Sequence, residues 1–369
     1  MSDFSQFVPD YVRRLAEGDQ SRPLKQSSGS ARPIALNLNE NPFGPSPLAM
    51  KAMEAALSDV HRYPGIQATE LHDAIAQFHG VKSDQVLVTA GTTELLCILA
   101  RALLAPGLNA ITSARSFIVY KLATQVTEGR LIEVATRDHG YDLDAIADAI
   151  DANTRIVFIA NPNNPTSTLV TADQVDRFLD RVPEHVLVVL DEAYGDFAED
   201  FARKRGVTYS RSLDYVSQGR NVILLKTFSK THGLAGLRVG YGIGPARLMS
   251  IFAPLRTIFS VSSIAQAAAL AALQDTEHIQ RAVENNAEQA EILAAGLKHL
   301  GFAIPQTWAN FLYCELGRDA AAFAERLRTA GVIVQPLGMW GAPTAVRISI
   351  GTPEENPGLI KALAEILGR

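Results

Sequence analysis

The sequence predicts an α/β fold in which helices cover both faces of a mostly parallel sheet. Between about residues 48 and 280, apolar strand-like runs alternate with helical segments, which is the pattern of consecutive βαβ units. Four of these runs are continuously apolar and mostly β-branched or aliphatic, as is typical of strands buried on both faces. They are residues 86–88, 156–160, 186–190 and 222–225.

The length of the chain predicts two domains, because 369 residues are too many for one ordinary compact core. We assign residues 48–280 to a large domain and residues 281–369 to a smaller α+β domain, which residues 1–47 complete as an N-terminal arm. Residues 265–300 are rich in Ala, Leu, Glu and Gln, which favours one long helix between the domains. The small domain is predicted to contain strands at 310–316 and 346–350 and helices at 320–330 and 358–367.

Composition limits the classes of function. A net charge of -5 disfavours general binding to nucleic acid or membranes. Cys97 and Cys314 lie in apolar contexts and the eight histidines are scattered, so neither a disulfide framework nor a metal site is predicted. Residues 1–4 do not begin a signal peptide, and no apolar run is long enough to span a bilayer. A cytoplasmic location is therefore expected.

The first buried strand runs into a turn of small residues, AGTTE at 90–94, before an apolar helix. A helix N-terminus offers free N–H groups and the positive end of the helix dipole, so it can bind an anion. Gly91 permits close approach, and Thr92 and Thr93 add hydroxyl groups. A plain helix start with Thr92 or Thr93 as N-cap is the alternative interpretation.

The next two buried strands also end in polar residues. The turn NPNNPT at 161–166 contains two prolines, which fix the backbone and can hold the amide of Asn164 in one orientation; an ordinary turn is the alternative. The third strand ends in Asp191, at the sheet edge where α/β proteins place ligands. A buried carboxylate needs a partner, such as a protonated pyridine nitrogen. Tyr194 lies three residues further on and could reach the phenolic oxygen of the same ring. The alternative is that Asp191 caps the next helix.

The fourth strand leads into the most informative motif, TFSK at 227–230, which is followed by GLAGLRVG at 233–240. Burial favours the neutral form of Lys230, which can form a Schiff base with an aldehyde cofactor. The hydroxyls of Thr227 and Ser229 and the guanidinium of Arg238 suit a phosphate. Together they indicate a lysine that holds pyridoxal phosphate, although Ser-Lys pairs and Gly-rich loops are common in other proteins.

All four motifs follow buried strands, so they can converge on one edge of one sheet. Three further segments accompany them: NENPFGPSP at 39–47, RYP at 62–64 and VRISIGTPEEN at 346–356. With these segments the chain resembles the fold-type I pyridoxal phosphate enzymes of the class I/II aminotransferases. Within them it is similar to the histidinol-phosphate aminotransferase branch, because these segments follow one another in the same order as in that family over nearly the whole chain.

The resemblance implies how the cofactor, pyridoxal 5'-phosphate, would be held. Lys230 would be the Schiff-base lysine and the proton shuttle, Asp191 would pair the pyridine nitrogen, and Asn164 and Tyr194 would contact the ring oxygen. Phe117 would stack on the ring, although simple core packing also explains it. The residues implied at the phosphate are Gly91, Thr92, Thr93, Thr227, Ser229 and Arg238.

The resemblance also implies partners for the site. Arg347 would bind the anionic group of the substrate, with Asn41 and Gln335 as further substrate-binding residues. Tyr63 would reach into the site of a neighbouring subunit, which implies a homodimer. A desolvated arginine–anion pair contributes about 1.5–3 kcal/mol per charge-assisted hydrogen bond.

Three departures from the family pattern bear on the substrate and the N-terminal arm. Family members that use histidinol phosphate commonly have arginine at the position of Gln335, and a neutral glutamine should weaken binding of a phosphate. The family often has an acidic residue where this chain has Thr93. Residues 18–30 replace the usual Pro-Gly-Lys-Pro box and are predicted to be a mobile polar segment.

The predicted activity is amino-group transfer with ping-pong kinetics. The donor is histidinol phosphate, which would place the enzyme in histidine biosynthesis, or an aromatic amino acid such as phenylalanine; the acceptor is a 2-oxo acid such as 2-oxoglutarate. A pyridoxal-phosphate-dependent decarboxylase of a phosphorylated amino acid is an alternative. A non-catalytic regulator would need a helix-turn-helix, for which the short arm has no room. The run GYGIG at 240–244 is not predicted to bind a dinucleotide, because it lacks the third spaced glycine and a following acidic residue for the ribose.

Overall fold

The computed structural model describes residues 7–13 and 33–368. Residues 1–4 and the predicted mobile segment at 18–30 lie outside the described residues. The described strands form two sheets, one of seven strands and one of four. In chain order the strands are β1 (Ile34–Leu36), β2 (Val86–Thr89), β3 (Asn109–Ser113), β4 (Arg130–Val134), β5 (Thr154–Ala160), β6 (Leu187–Asp191), β7 (Val222–Thr227), β8 (Gly240–Ile243), β9 (Phe311–Glu315), β10 (Val332–Leu337) and β11 (Ala342–Ser349).

Helices surround both sheets. They are α1 (Pro47–Ala56), α2 (Thr69–His79), α3 (Gly91–Leu103), α4 (Ile118–Gln125), α5 (Leu143–Asp148), α6 (Ala172–Leu179), α7 (Gly195–Arg205), α8 (Ser212–Ser217), α9 (Ala246–Phe252), α10 (Ser263–Ala272), α11 (Thr276–His299), α12 (Ala320–Thr329) and α13 (Glu355–Leu367). Within residues 7–13 and 33–368, no helix is long and apolar enough to cross a membrane. Cys97 in α3 and Cys314 in β9 are free thiols.

The seven-stranded sheet has the order β2-β8-β7-β6-β5-β3-β4. All its neighbours are parallel except β8, which is antiparallel to both β2 and β7. The four predicted apolar runs form β2, β5, β6 and β7, and the last three are adjacent. Their polar ends therefore meet at the same edge, and the predicted α/β fold with a mostly parallel sheet is confirmed.

Both faces of this sheet are buried, as β7 shows. Ile223 and Leu225 belong to one apolar cluster, whereas Leu224 between them belongs to another, with Val86 and Val88 of β2. Successive side chains of a strand point to opposite faces, so the uninterrupted apolar run serves two cores at once.

The glycines of β8 let α3 lie close to the sheet. A Cβ on Gly240 would lie 2.6 Å from the backbone nitrogen of Thr92, and one on Gly242 would lie 2.5 Å from the side chain of Leu95. Residues 240–243 of this run therefore form a strand that needs glycine at 240 and 242, because close packing there sets the start of α3 beside the ends of the parallel strands.

The four-stranded sheet joins the start and the end of the chain. β1 pairs in parallel with β10, and β11 lies antiparallel between β10 and β9. Leu297, Leu327 and Leu359, from α11, α12 and α13, pack into the apolar cluster of this sheet. Gln335 of β10 lies directly opposite Arg347 of β11, so the two predicted substrate-binding residues are cross-strand neighbours. The proposed domain boundaries stay a prediction.

The long helix predicted for residues 265–300 is wrong in one respect, because the structure has two helices, α10 and α11, in its place. Asp275 between them accepts hydrogen bonds from the backbone N–H of His278 at 3.2 Å and from Ser46 Oγ at 2.5 Å. An aspartate that caps a new helix competes with continuation of the old one. The predicted boundary at residue 281 falls inside α11.

Candidate active site

A cavity of about 480 Å³ lies where the carboxyl ends of β5, β6 and β7 meet strands β10 and β11 of the other sheet. Every one of the four sequence motifs contributes to its wall, so the predicted convergence is observed. The predicted residues that line it are Thr92, Thr93, Phe117, Asn164, Asp191, Tyr194, Thr227, Ser229, Lys230, Arg238, Gln335 and Arg347.

Lys230 lies three residues beyond the end of β7. Its amino group donates hydrogen bonds to the carbonyl oxygens of Asn39 at 3.0 Å and Leu38 at 3.3 Å. Burial lowers the pKa of Lys230 to about 7, and the positive charge of Arg347 acts in the same direction. A large fraction of this lysine is therefore neutral near pH 7, so its nitrogen can act as a nucleophile or accept a proton.

Asp191 is the last residue of β6 and is only 4% exposed. Its carboxylate accepts hydrogen bonds from Tyr120 Oη at 3.0 Å and from the backbone N–H of Ala193 at 3.2 Å. Burial raises the pKa of Asp191 to about 6, although these two hydrogen bonds oppose the shift. Asp191 does not cap α7, because Tyr194 occupies the N-cap position. A protonated ring nitrogen would give this carboxylate the cationic partner that burial demands.

Asn164 and Tyr194 are joined by a hydrogen bond of 3.2 Å from the amide nitrogen of Asn164 to the tyrosine hydroxyl. The amide of Asn39 donates to the same hydroxyl at 3.1 Å. Because Tyr194 Oη accepts from two amides, its own proton remains available for an oxygen of a ligand. The pair is therefore suited to an anionic ring oxygen, as predicted for Asn164 and Tyr194.

The first turn of α3 forms one side of an anion cup. Its N-cap is Ala90, which has no side chain able to cap, so neither Thr92 nor Thr93 is the N-cap. The guanidinium of Arg238 lies against Gly91, where a Cβ would come within 2.7 Å of Arg238 Nη2 and where φ is +77°. Only glycine fits this cradle, because it tolerates both the conformation and the close approach.

The other side of the cup carries hydroxyl groups. Thr227 Oγ1 donates to Ser229 Oγ at 3.0 Å and accepts from the backbone N–H of Ser229 at 3.1 Å. A helix N-terminus, an arginine and two hydroxyl groups thus face one space. That combination of donors binds a phosphate.

Arg347 lies in β11 and is 5% exposed. It donates to Asn164 Oδ1 at 2.6 Å and to the carbonyl oxygen of Asn37 at 2.7 Å, while its Nε has no hydrogen-bond partner. Within the described part of the chain, no carboxylate forms an ion pair with it. Burial lowers its pKa. A buried cation without an acid is costly, and an anionic ligand would remove that cost.

Three of the predicted residues do not line the cavity: Gly91, which lies behind it against Arg238, Asn41 and Tyr63. Asn41 is not on its wall: the amide donates to the carbonyl oxygen of Thr231 at 2.8 Å and lies 3.3 Å from His278 Nε2. The prediction that Asn41 contacts substrate is therefore not supported, because its amide is committed to the loop that follows Lys230. Tyr63 is 83% exposed and stacks on Phe259, with centroids 4.7 Å apart. Its role in a neighbouring subunit stays a prediction.

Three residues of the site are not predicted by the sequence. Asn39 lines the cavity, and it lies in the same segment as Asn41; sequence alone did not show which asparagine faces inward. Tyr120 supports Asp191 from α4, and the ring of Phe117 packs edge-on against it at 5.7 Å. Trp340 also lines the cavity, and the centroid of its ring lies 5.7 Å from the guanidinium of Arg347. Neither aromatic residue belongs to a recognisable motif.

The site contains a lysine with a pKa of about 7, a buried carboxylate that needs a cationic partner and a cup for a phosphate. These features define the class of the protein: an α/β enzyme built around a phosphorylated carbonyl cofactor. Comparison with known families agrees: the model of "Aminotransferase class I and II" matches residues 31–363. The chain belongs to this family and is an aminotransferase that depends on pyridoxal 5'-phosphate.

Relatives make the comparison more specific. "Histidinol-phosphate aminotransferase 2" of Ralstonia nicotianae is 42% identical over 372 residues, covering 99% of this chain and 98% of that protein. The protein of the same name from Pseudomonas aeruginosa is 40% identical, covering 100% of this chain and 99% of that one. The resemblance to the histidinol-phosphate aminotransferase branch is thereby confirmed.

Solved structures agree on the fold. The histidinol-phosphate aminotransferase of Sinorhizobium meliloti, in complex with pyridoxal-5'-phosphate, has a TM-score of 0.89 and 27% identity, covering 100% of this chain and 99% of that one. A Thermus thermophilus aspartate aminotransferase double mutant has a TM-score of 0.82 at 24% identity, covering 99% of both chains. The predicted fold-type I architecture is confirmed.

Proposed function

We propose that the enzyme transfers an amino group from histidinol phosphate to a 2-oxo acid such as 2-oxoglutarate, in two half-reactions with ping-pong kinetics. The observation that supports this proposal most strongly is the environment of Arg347. This residue is a buried guanidinium without an acidic partner, on the wall of the cavity that also contains Lys230. The names of the relatives from Ralstonia and Pseudomonas support the choice of donor.

The cavity can hold pyridoxal phosphate through residues that the structure already brings together. Asp191 would pair the ring nitrogen, and Asn164 and Tyr194 would contact the ring oxygen. Thr92, Thr227, Ser229 and Arg238 would hold the phosphate, with Thr93 and Gly91 shaping the cup and Phe117 lying over the ring. When bound, the cofactor supplies an aldehyde and an electron-accepting ring that makes the substrate's Cα proton removable.

Lys230 would move that proton. With a pKa of about 7, it would accept the proton from the substrate's Cα and donate it to the carbonyl carbon of the cofactor within one half-reaction near neutral pH. The carbonyl oxygens of Leu38 and Asn39 hold its nitrogen in place. Precise placement matters here, because proton transfer requires the two heavy atoms to lie within hydrogen-bonding distance.

Arg347 would bind the phosphate of histidinol phosphate and, in the other half-reaction, a carboxylate of the acceptor. Its planar fork can form two parallel hydrogen bonds to either group. The rings of Phe311 and Trp340 lie 5.5 and 5.7 Å from the guanidinium. They exclude water from one side of the arginine and so strengthen its attraction for an anion.

An aromatic amino acid such as phenylalanine is the second candidate donor. The observation that favours it is the place of Gln335, which lines the cavity directly opposite Arg347 and adds no second charge. A donor with one carboxylate needs only one arginine, whereas a doubly charged phosphate benefits from two.

A homodimer would complete the site. Tyr63 is exposed, and the apolar residues Ile66 and Ile258 are 57% and 66% exposed. Such side chains, together with the stacked Phe259, suit burial against a second copy of the chain. In that assembly Tyr63 would reach the cavity of its partner. Sedimentation would measure the oligomeric state of the enzyme and, for comparison, of a Tyr63→Ala variant.

A single-turnover measurement tests the proposed donor. The enzyme loaded with pyridoxal phosphate would be mixed separately with histidinol phosphate, phenylalanine and glutamate while the absorbance of the bound cofactor is followed. Fast conversion with histidinol phosphate and slow conversion with phenylalanine is expected. The reverse result would assign the enzyme to aromatic donors, and no conversion with any of the three would overturn the proposal.

A further inference from the structure

A second lysine, Lys226, lies four residues before Lys230 but does not line the cavity. It precedes the cavity-lining Thr227, and side chains alternate along a strand, so it points to the other face of β7. Its Nζ lies 3.6 Å from Glu192 Oε2, and the two side chains are only 14% and 5% exposed. In every other ion pair of the described residues, at least one side chain is more than a third exposed.

The carboxylate of Glu192 is held on several sides. It accepts hydrogen bonds from Ser212 and, at 2.5 Å, from Ser210. Its backbone N–H donates to the carbonyl oxygen of Leu225 at 3.0 Å. Because Glu192 follows Asp191 in the chain, whatever fixes Glu192 also fixes the end of β6 on which Asp191 lies.

Asp196 follows Gly195 at the start of α7; its carboxylate attracts the charge of the same lysine and is bonded to the loop that carries Lys230. The hydroxyl of Thr231, the residue after Lys230, donates to the Asp196 carboxylate. Burial would raise the pKa of Asp196, but its attraction to Lys226 and His232 lowers it. Burial would likewise lower the pKa of Lys226, but Glu192 and Asp196 raise it above the usual lysine value.

The position of Lys226 is not explained by helix stability. A Cβ on Gly195, the first residue of α7, would lie 3.1 Å from Lys226 Nζ. The ammonium group is thus close to a helix N-terminus, whose positive dipole repels it. The other ionisable groups that act on Lys226 or feel its charge are Glu199 of α7, Tyr241 of β8, His79 of α2 and His232 of the lysine loop. The carboxylates of Glu192 and Asp196 are the largest of the contributions that offset the cost of burial.

We propose that Lys226 is a positioning residue that joins the two halves of the cofactor site. Through Glu192 it fixes the strand end that presents Asp191 to the ring nitrogen. Through Asp196 and Thr231 it fixes the loop that presents Lys230. The inference rests on the proposed roles of Asp191 and Lys230. Its consequence is that loss of the Lys226 charge displaces both groups together.

Four single variants, one double variant and two readouts test this role. Lys226→Met removes the charge and keeps the length, Lys226→Arg keeps the charge, and Thr231→Val removes only the hydroxyl that reaches Asp196. Lys204→Met is the matched control, because it breaks an ion pair with Asp200 on the same helix, outside the site. The first readout is the absorbance midpoint, which is the pH at which half of the pH-dependent change in the bound cofactor's absorbance has occurred. The second is the separate values of kcat and KM.

The expected result is a shift of the absorbance midpoint in Lys226→Met by about half a pH unit or more. Its kcat should fall on the order of tenfold or more, with a much smaller change in KM, because misplacement affects the reacting groups more than binding. Lys226→Arg should restore both values. Thr231→Val should change the midpoint in the same direction and add little in the Lys226→Met background, because both changes act through the carboxylate of Asp196.

A wild-type midpoint and kcat in Lys226→Met would overturn the inference, as would a loss matched by Lys204→Met. If Lys226→Met does not fold, Thr231→Val decides alone: a normal midpoint and kcat there would also overturn it. A failure of the proposed function is distinguishable, since the wild-type enzyme itself would then bind no cofactor through Lys230 or transfer no amino group.

Discussion

Lys226 and Lys230 lie four residues apart on β7 and the loop that follows, yet their environments act on them in opposite directions. Burial lowers the pKa of Lys230 to about 7, with Arg347 and Arg238 nearby. Lys226 is also buried, but its carboxylate neighbours raise its pKa above the usual lysine value. Burial alone therefore does not decide whether a lysine is reactive. The charges that the neighbouring elements supply decide it.

The largest effect is expected when the reactive lysine is removed. Lys230→Ala should lose at least about 10³-fold in kcat, because no other described group on the cavity wall can both hold the cofactor covalently and move the Cα proton. Steady-state kinetics with the best donor would measure this, with Lys204→Met as the control. Wild-type turnover in Lys230→Ala would show that the mechanism is wrong.

Arg347 contributes to the low pKa of Lys230 and would also bind the substrate's anion, so its removal tests both roles. Arg347→Met should lower kcat/KM for an anionic donor about 10²-fold, as expected for the loss of two charge-assisted hydrogen bonds. The absorbance midpoint of the bound cofactor should rise, because a positive charge near Lys230 is lost.

Arg347→Lys should not restore kcat/KM, because a single ammonium group cannot reproduce the fork. Arg220→Met is the matched control, since Arg220 pairs with Asp180 on the surface. An unchanged kcat/KM in Arg347→Met would show that the anion binds elsewhere.

The two lysines should affect stability with opposite pH dependence in the cofactor-free protein. Because the folded-state pKa of Lys230 is lowered, the unfolded chain binds more protons between about pH 7 and 10.5, and its cost to the fold is greatest at the low end. The pKa of Lys226 is raised, so its stabilisation is fully present below about 10.5 and is lost only above that value.

Thermal unfolding between pH 7 and 10 would measure both effects. Lys230→Met should raise Tm at pH 7–8, and the gain should shrink as the pH approaches 10. Lys226→Met should lower Tm by several degrees throughout this range, because it leaves Glu192 buried without its partner. Two variants with the same sign of change at pH 7 would contradict the comparison.

The smallest effect is expected from adding a charge at the cavity wall. Gln335→Arg should raise kcat/KM for histidinol phosphate relative to phenylalanine by about threefold to tenfold, since a partly exposed arginine contributes modestly. Gln335→Met is the control for the loss of the amide. A preference that moves toward phenylalanine would place the substrate's anion away from β10.

The sequence predicted the fold and most of the site because both depend on local patterns. Continuous apolar runs indicated the buried strands, and the polar residues directly after them were thereby placed at one edge. The sequence does not distinguish Asn39, which lines the cavity, from Asn41, which does not, because the segment is irregular there and no periodicity indicates which side chain faces inward. The break at Asp275 rests on a local cap to the N–H of His278 and on a distant partner, Ser46, and only the local cap could have been predicted from the sequence. The buried ion pair of Lys226 could not be predicted from the sequence, because its partners come from other elements.

The pairing of β10 with β11 has a consequence for how such enzymes diversify. Gln335 and Arg347 lie on the four-stranded sheet, whereas Asp191 and Thr227 end strands of the seven-stranded sheet. If Gln335 binds the donor and Asp191 and Thr227 hold the cofactor as proposed, exchange of Gln335 on the four-stranded sheet would change donor preference and leave the cofactor-binding strand ends of the other sheet in place.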